Sequence, residues 1–205
     1  MLPVIIGILT LSKLQANSRL ICLLVIAGAI TQISAHYLKN YALTCIGYNI
    51  YIPIEYTIIF FFFKTSFFAV SRKKIFYFLA FAGFCMVLYF PVFVGIRGRF
   101  ISEWVCFNNI IYTAWILLFI LDIYENDSIF LSQKMPLFWY LLGMFFYTSC
   151  TILIFCFWNY INTVKNSYFP KLFQIYSIFN IFMYIAFSIG LLLDASDNLK
   201  MNKKN

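Results

Sequence analysis

The chain of 205 residues is 63% hydrophobic and 11% charged, with a mean hydropathy of +0.88. An ordinary soluble domain is about half apolar and about a quarter charged, so too few polar residues remain here to coat a soluble core. The formal charge of +8 does not indicate nucleic acid, because Lys and Arg fall in the gaps between apolar runs instead of along one helix face.

A membrane-spanning helix needs about 20 apolar residues at 1.5 Å per residue, and the chain divides into seven hydrophobic segments on that scale. The first, about 1–12, ends at Lys13 and would reach roughly 18 Å as a helix, short of a ~30 Å core. It has no basic n-region and no small-residue cleavage site, so it is not a signal peptide. We expect a native start upstream of Met1 and a longer helix, a hypothesis that fails if mass spectrometry of the intact native protein finds Met1 first.

The second segment, about 20–38, carries Gly28, Gln32 and His36 at i, i+4 and i+8. The third, about 44–63, holds Glu55, an acid well inside an apolar run. Tyr51 and Tyr48 stand four and seven residues before it on the same helical face. Pro53 removes a backbone donor and frees the Asn49 carbonyl, so a kink is expected there. With no basic residue at similar depth, Glu55 must be neutral or held by hydroxyls and amides. It either lines a cavity or is a structural acid satisfied by neighbouring helices.

The fourth segment, about 75–93, is almost wholly apolar, and the fifth, about 102–121, places Asn108 and Asn109 beside Tyr112 and Thr113. The sixth, about 137–157, repeats a polar stripe as Tyr140, Gly143, Tyr147 and Thr151. In the seventh, about 172–193, Gln174, Ser177, Asn180, Tyr184 and Ser188 fall within an arc of about 120°. Small and polar residues are also how membrane helices associate, so each stripe alone is equally a packing seam.

The six cysteines contain no CxxC pair, and His36 is the single histidine. Five of the cysteines (Cys22, Cys85, Cys106, Cys150 and Cys156) lie in apolar runs and behave as small hydrophobes. Neither a metal site nor a cofactor is expected. There is no internal repeat or soluble domain, so residues 1–205 are expected to form a single transmembrane domain.

Orientation follows from the 15 Lys and Arg. One side collects Lys13, Arg19, Lys64, Arg72, Lys73, Lys74, Lys134, Lys200, Lys203 and Lys204. The other has only Lys39, Arg97, Arg99, Lys165 and Lys171. Positive charge stays inside, which predicts an all-α, N-out/C-in seven-helix bundle in the inner or plasma membrane. The Arg72-Lys73-Lys74 cluster either fixes topology or also meets anionic headgroups. In that orientation the polar residues gather in the outer half and near the midplane. We expect a pocket open to the extracytoplasmic side, with Gln32, Tyr51, Glu55 and Asn109 on its first helices. Tyr147, Gln174, Ser177 and Asn180 complete it from the last two.

The residues Leu2-Pro3 with Gly7, Tyr51 with Glu55-Tyr56, and Pro136 with Phe138-Trp139, Tyr147 and Phe155 form one set. With Ile175, Phe179-Asn180 and Gly190, they resemble a family of small bacterial seven-helix membrane proteins without established activity. The resemblance spans nearly the whole chain and implies the fold, but no reaction. Retinal proteins fit poorly, because Ile181 to Leu193 contains no lysine, and the acidic motifs of membrane lysoplasmalogenases are not seen. No phosphate loop, HExxH or nucleophile elbow occurs.

Three functions are carried forward. The first is a non-enzymatic ligand-binding or sensory module, whose partners are membrane lipids and a cytoplasmic or membrane protein. The second is an enzyme acting on a lipid or isoprenoid, with Glu55, alone or with His36, as acid or base. The third is a small proton-coupled transporter, which needs a polar path that the apolar inner half does not offer.

Overall fold

The computed structural model describes residues 2–38, 40–65, 70–95, 100–125, 134–157 and 169–202, and every regular element among them is helical. Helix α1 (Leu2–Thr10) runs into a 3-10 turn at Leu11–Lys13. It is followed by α2 (Ala16–Leu38), α3 (Tyr41–Lys64) and α4 (Val70–Tyr89), the last extended by a π-turn at Phe90–Val94. Helices α5 (Ser102–Glu125), α6 (Pro136–Cys156) and α7 (Phe169–Asn202) complete the seven among the described residues.

Six of them, α2 to α7, are long and apolar enough to cross a membrane, and α1 is not. The chain therefore has the helices of a multi-pass membrane protein. Outward-facing side chains agree: Phe78, Phe81, Val92 and Phe93 are each more than two-thirds exposed, a surface that water would not tolerate but acyl chains would. The helices outrun the apolar segments that announce them. Helix α2 starts four residues before 20, α5 continues to Glu125, and α7 covers 169–202. Hydropathy marks only the stretch that suits hydrocarbon, whereas the hydrogen-bonded turns continue through the polar ends.

Local chemistry sets several boundaries. The Asn40 side chain caps α3, accepting from the backbone N–H groups of Ala42 at 3.0 Å and Leu43 at 3.4 Å, which closes the tight α2–α3 hairpin. Helix α3 runs on through Pro53. The π-turn after α4 contains Pro91 and stops at Gly95, whose φ of 80° favours a residue without Cβ. Pro136 opens α6 at its first turn, where a missing N–H costs nothing.

Helix contacts arrange α2, α3, α5, α6 and α7 as a closed ring, each touching the next and α7 returning to α2. Helix α1 lies outside against α2 and α7, and α4 lies outside against α5. Gly143 permits the close α6–α7 approach, since a Cβ there would stand 3.0 Å from the Ala186 Cβ and 3.3 Å from the Met183 carbonyl. The α5–α6 contact is stitched by polar pairs at successive turns. Asn109 donates to Thr151 at 3.0 Å, the Thr113 and Thr148 hydroxyls pair at 2.9 Å, and the Cys106 and Cys156 sulfurs meet at 2.9 Å.

The end of the ring away from the α2–α3 hairpin is solid. Trp115, fully buried, sits among Phe60, Phe63, Phe76, Tyr56 and Tyr112 with ring centroids 5.0–6.3 Å away. Tyr140 and Phe187 close the other side. At this end Arg72, expected as a loop charge, instead turns inward. It bonds Asp122, whose side chain is fully buried, at 3.0 Å and also pairs with Glu125. Buried Asp194 accepts the Gln15 N–H at 2.7 Å just ahead of α2, where a helix N-terminus favours negative charge. Of the residues counted for orientation, Lys39, Arg97, Arg99, Lys165, Lys203 and Lys204 lie outside the described residues.

Candidate functional site

The ring is hollow toward the α2–α3 hairpin. A cavity of about 410 Å³ lies there, lined by Gln32 of α2, Tyr41, Thr44, Cys45 and Tyr48 of α3, and Tyr176, Ser177 and Asn180 of α7. Phe100, Ile154 and Phe155 supply its apolar wall. Gln32, Tyr48, Tyr176 and Asn180 also line a second, deeper cavity of about 70 Å³, which Tyr51, Glu55, Tyr147 and Tyr184 complete. Glu55, Tyr51, Tyr147 and Tyr184 in turn border a third of about 20 Å³, together with Tyr112, Thr148 and apolar residues such as Ile59 and Phe187. The three share walls and descend along the ring axis. Beyond Ile59 and Phe187 come the aromatic side chains of the solid end.

Glu55 stands where the second and third cavities adjoin. From Tyr41 to Glu55 α3 advances about 21 Å, slightly past the middle of its 24 residues. The half-buried carboxyl group accepts a hydrogen bond from the Tyr51 hydroxyl, one turn away. Tyr112, Tyr147, Tyr176 and Tyr184 all lie within reach of its charge. Gly28 makes this crowding possible, for a Cβ there would be 3.2 Å from the Tyr51 hydroxyl and 3.6 Å from that of Tyr184. The phenols support one another: Tyr147 and Tyr176 hydroxyls pair at 3.3 Å, and Gln32 donates to the Tyr184 hydroxyl at 3.3 Å.

Two groups beside this cluster are left wanting. The Tyr112 hydroxyl and the Asn108 amide, each residue 1% exposed, approach one another but find no partner at hydrogen-bonding geometry. Buried polar atoms are nearly always satisfied, so such groups mark a place where something else belongs. Among the described residues no Lys, Arg or His lines any of the three cavities, and no group of three or more His, Cys, Asp and Glu is placed to hold a metal ion.

Neither protein-family models, nor curated proteins, nor solved structures gave a match to this chain. Geometry alone therefore carries the functional argument.

Of the residues expected in a pocket, the structure brings together Gln32, Tyr51, Glu55, Tyr147, Ser177 and Asn180 along the three cavities. Asn109 lies elsewhere: it is buried in the α5–α6 seam on Thr151. Gln174 is exposed and lines none of the three. His36 is exposed two residues from the end of α2, with its ring edge-on to Tyr37. Lying about 3 Å below that end, it is separated from Glu55 in depth by about 18 Å, too far for an acid–base pair. Tyr41, Thr44 and Tyr176 are lining residues that the sequence pattern did not single out, and Tyr112 stood beside Asn109 without being placed in the pocket. Tyr176 lies four and eight residues before Asn180 and Tyr184, a helical register that pointed to it.

Proposed function

We propose that residues 1–205 form one transmembrane domain, N-out/C-in in the inner or plasma membrane, that holds a ligand in a pocket open to the extracytoplasmic side. In this reading it is a non-enzymatic binding or sensory module. Ligand binding between α3 and α7 biases the packing of the ring, and a partner protein in or beneath the membrane receives that change. The observation that carries the reading is the descent of three adjoining cavities from the hairpin end to Glu55, with solid aromatic packing beyond. A blind pocket of about 410 Å³ at its mouth is of the size that small-molecule sites have. The same packing disfavours the transporter, which needs a route past Phe62, Phe63 and Phe187, all fully buried.

Mass spectrometry of small molecules and lipids that co-purify with the protein tests the proposal. A compound retained by the native chain and lost from Asn180→Leu, which fills the cavity wall without touching the solid end, is the expected result. Identical co-purified profiles from both, with both folded, would remove the pocket reading.

A second reading keeps one supporting observation. The Tyr51–Glu55 hydrogen bond within a cavity is an arrangement that an enzyme acting on a lipid or isoprenoid can use for proton transfer. Conversion of a co-purified compound to a new product by the native chain, and not by Glu55→Gln, would favour it.

A further inference from the structure

Resting on the pocket reading, we infer that the ligand is an organic ammonium ion, its nitrogen seated against Glu55 and its apolar body filling the mouth cavity. The inference starts from what surrounds the carboxyl group. Among the described residues Glu55 has no basic partner, and the Tyr51 hydroxyl is its hydrogen-bond donor. An acid desolvated inside a helix bundle is costly unless countered, and such residues in membrane helices mark functional sites. A cationic ligand supplies the counter-charge that none of the described residues brings to these walls.

The walls select the same chemistry. Tyr48, Tyr51, Tyr147, Tyr176 and Tyr184 enclose the cavity that Glu55 borders, and aromatic faces around an acid are how ammonium groups are recognised. The unpartnered Tyr112 hydroxyl, 1% exposed and lining the adjoining recess, is a second and independent observation. It offers an acceptor to an ammonium N–H. Volumes fit the division of labour: about 70 Å³ beside Glu55 takes the charged group, and about 410 Å³ edged by Phe100, Ile154 and Phe155 takes an aliphatic or aromatic body.

Other ligand classes meet obstacles. An anion faces Glu55 and finds no Lys, Arg or His in the cavity lining among the described residues. A divalent metal ion needs several hard oxygen ligands, often more than one of them carboxylate, and among the described residues Glu55 is the single acid on these walls. A neutral molecule leaves Glu55 to be held by the Tyr51 hydroxyl alone or to take up a proton. The ammonium can belong to a free amine or to the ethanolamine headgroup of a phospholipid. Among the described residues no basic side chain on the cavity walls is there to meet a phosphate, which favours the free amine.

The test uses the full chain in nanodiscs of phosphatidylglycerol, which carries no amine, with phenethylammonium and its neutral analogue 2-phenylethanol as probes in calorimetric titration. Phenethylammonium is expected to bind about tenfold more tightly than the alcohol. That preference should vanish in Glu55→Gln and persist in His36→Ala. Adding phosphatidylethanolamine to the nanodiscs distinguishes the sources: competition assigns the site to the headgroup, and no competition assigns it to a free amine. Equal binding of the two probes by the native chain would overturn the ammonium inference and leave the pocket standing. Binding of neither probe, with no effect of phosphatidylethanolamine on thermal stability, would remove both. The native comparison decides the matter even if Glu55→Gln does not fold. Tyr147→Leu then serves as the second variant, with an expected loss of about threefold for the amine alone.

Discussion

The two ends of the helix ring are built from similar residues and do opposite things with them. At the end away from the α2–α3 hairpin, aromatic side chains face one another across Trp115, and three acids are matched: Asp122 and Glu125 to Arg72, Asp194 to the Gln15 N–H. Toward the hairpin, tyrosines face a cavity, and among the described residues Glu55 meets the Tyr51 hydroxyl instead of a cation. The difference lies in pairing more than in composition. A bundle that satisfies its charges at one end and withholds satisfaction at the other has a rigid base and a receptive mouth. Allocation of that kind is common at functional sites, where local rules are broken and the surroundings compensate.

The largest expected effect falls at the base. Asp122→Ala leaves Arg72 without its buried partner and should cost about 3 kcal/mol of unfolding free energy, as breaking one side of a buried ion pair does. Denaturant titration in detergent measures it, and a loss below about 1 kcal/mol would show that Glu125 alone suffices for Arg72. A pair of glycines sharpens the contrast. A Cβ at Gly190 would collide with the Tyr140 ring, whereas at Gly47, toward the mouth, it would meet nothing within 4 Å. Gly190→Ala is expected to destabilise by about 1–3 kcal/mol through overpacking, and Gly47→Ala to leave stability unchanged or raise it by up to about 1 kcal/mol through helix propensity. Equal effects in thermal melts would mean that the mouth is packed as tightly as the base. The smallest loss is expected midway along the α5–α6 seam. Thr151→Val removes the acceptor for Asn109 and should cost about 1 kcal/mol. If ligand binding rather than stability suffers, the seam belongs to the pocket after all.

How much of this was legible in the sequence differs by level. The six long helices were plain, because some 20 consecutive apolar residues have few other uses. Glu55 was plain for the same reason in reverse, as a lone acid in such a run. Polar stripes were harder, since the angle of a residue on its own helix does not say which neighbour that angle meets. The α7 stripe of Ser177, Asn180 and Tyr184 faces the cavities, while the equally regular stripe of Asn109 and Thr113 zips α5 to α6. Gln174 belongs to the first stripe by angle, yet it lies a turn too near the helix start and is exposed. The Arg72–Asp122 pair escaped notice because both residues sit at the edges of apolar runs, where charges pass for loop residues. Their joint signal was positional: the start of α4 and the end of α5 share a depth when the two helices are antiparallel neighbours.

Cysteine accessibility tests the contrast between mouth and base most directly. In a chain whose six native cysteines are replaced by serine, Tyr48→Cys, Asn180→Cys and Phe63→Cys are each exposed to a membrane-impermeant thiol reagent added from the extracytoplasmic side of right-side-out vesicles. Rapid labelling at 48 and 180 with none at 63 is the predicted result. Labelling at 63 as fast as at 48, or labelling of none of the three in protein shown to be folded, would contradict a pocket that opens at one end and is sealed at the other.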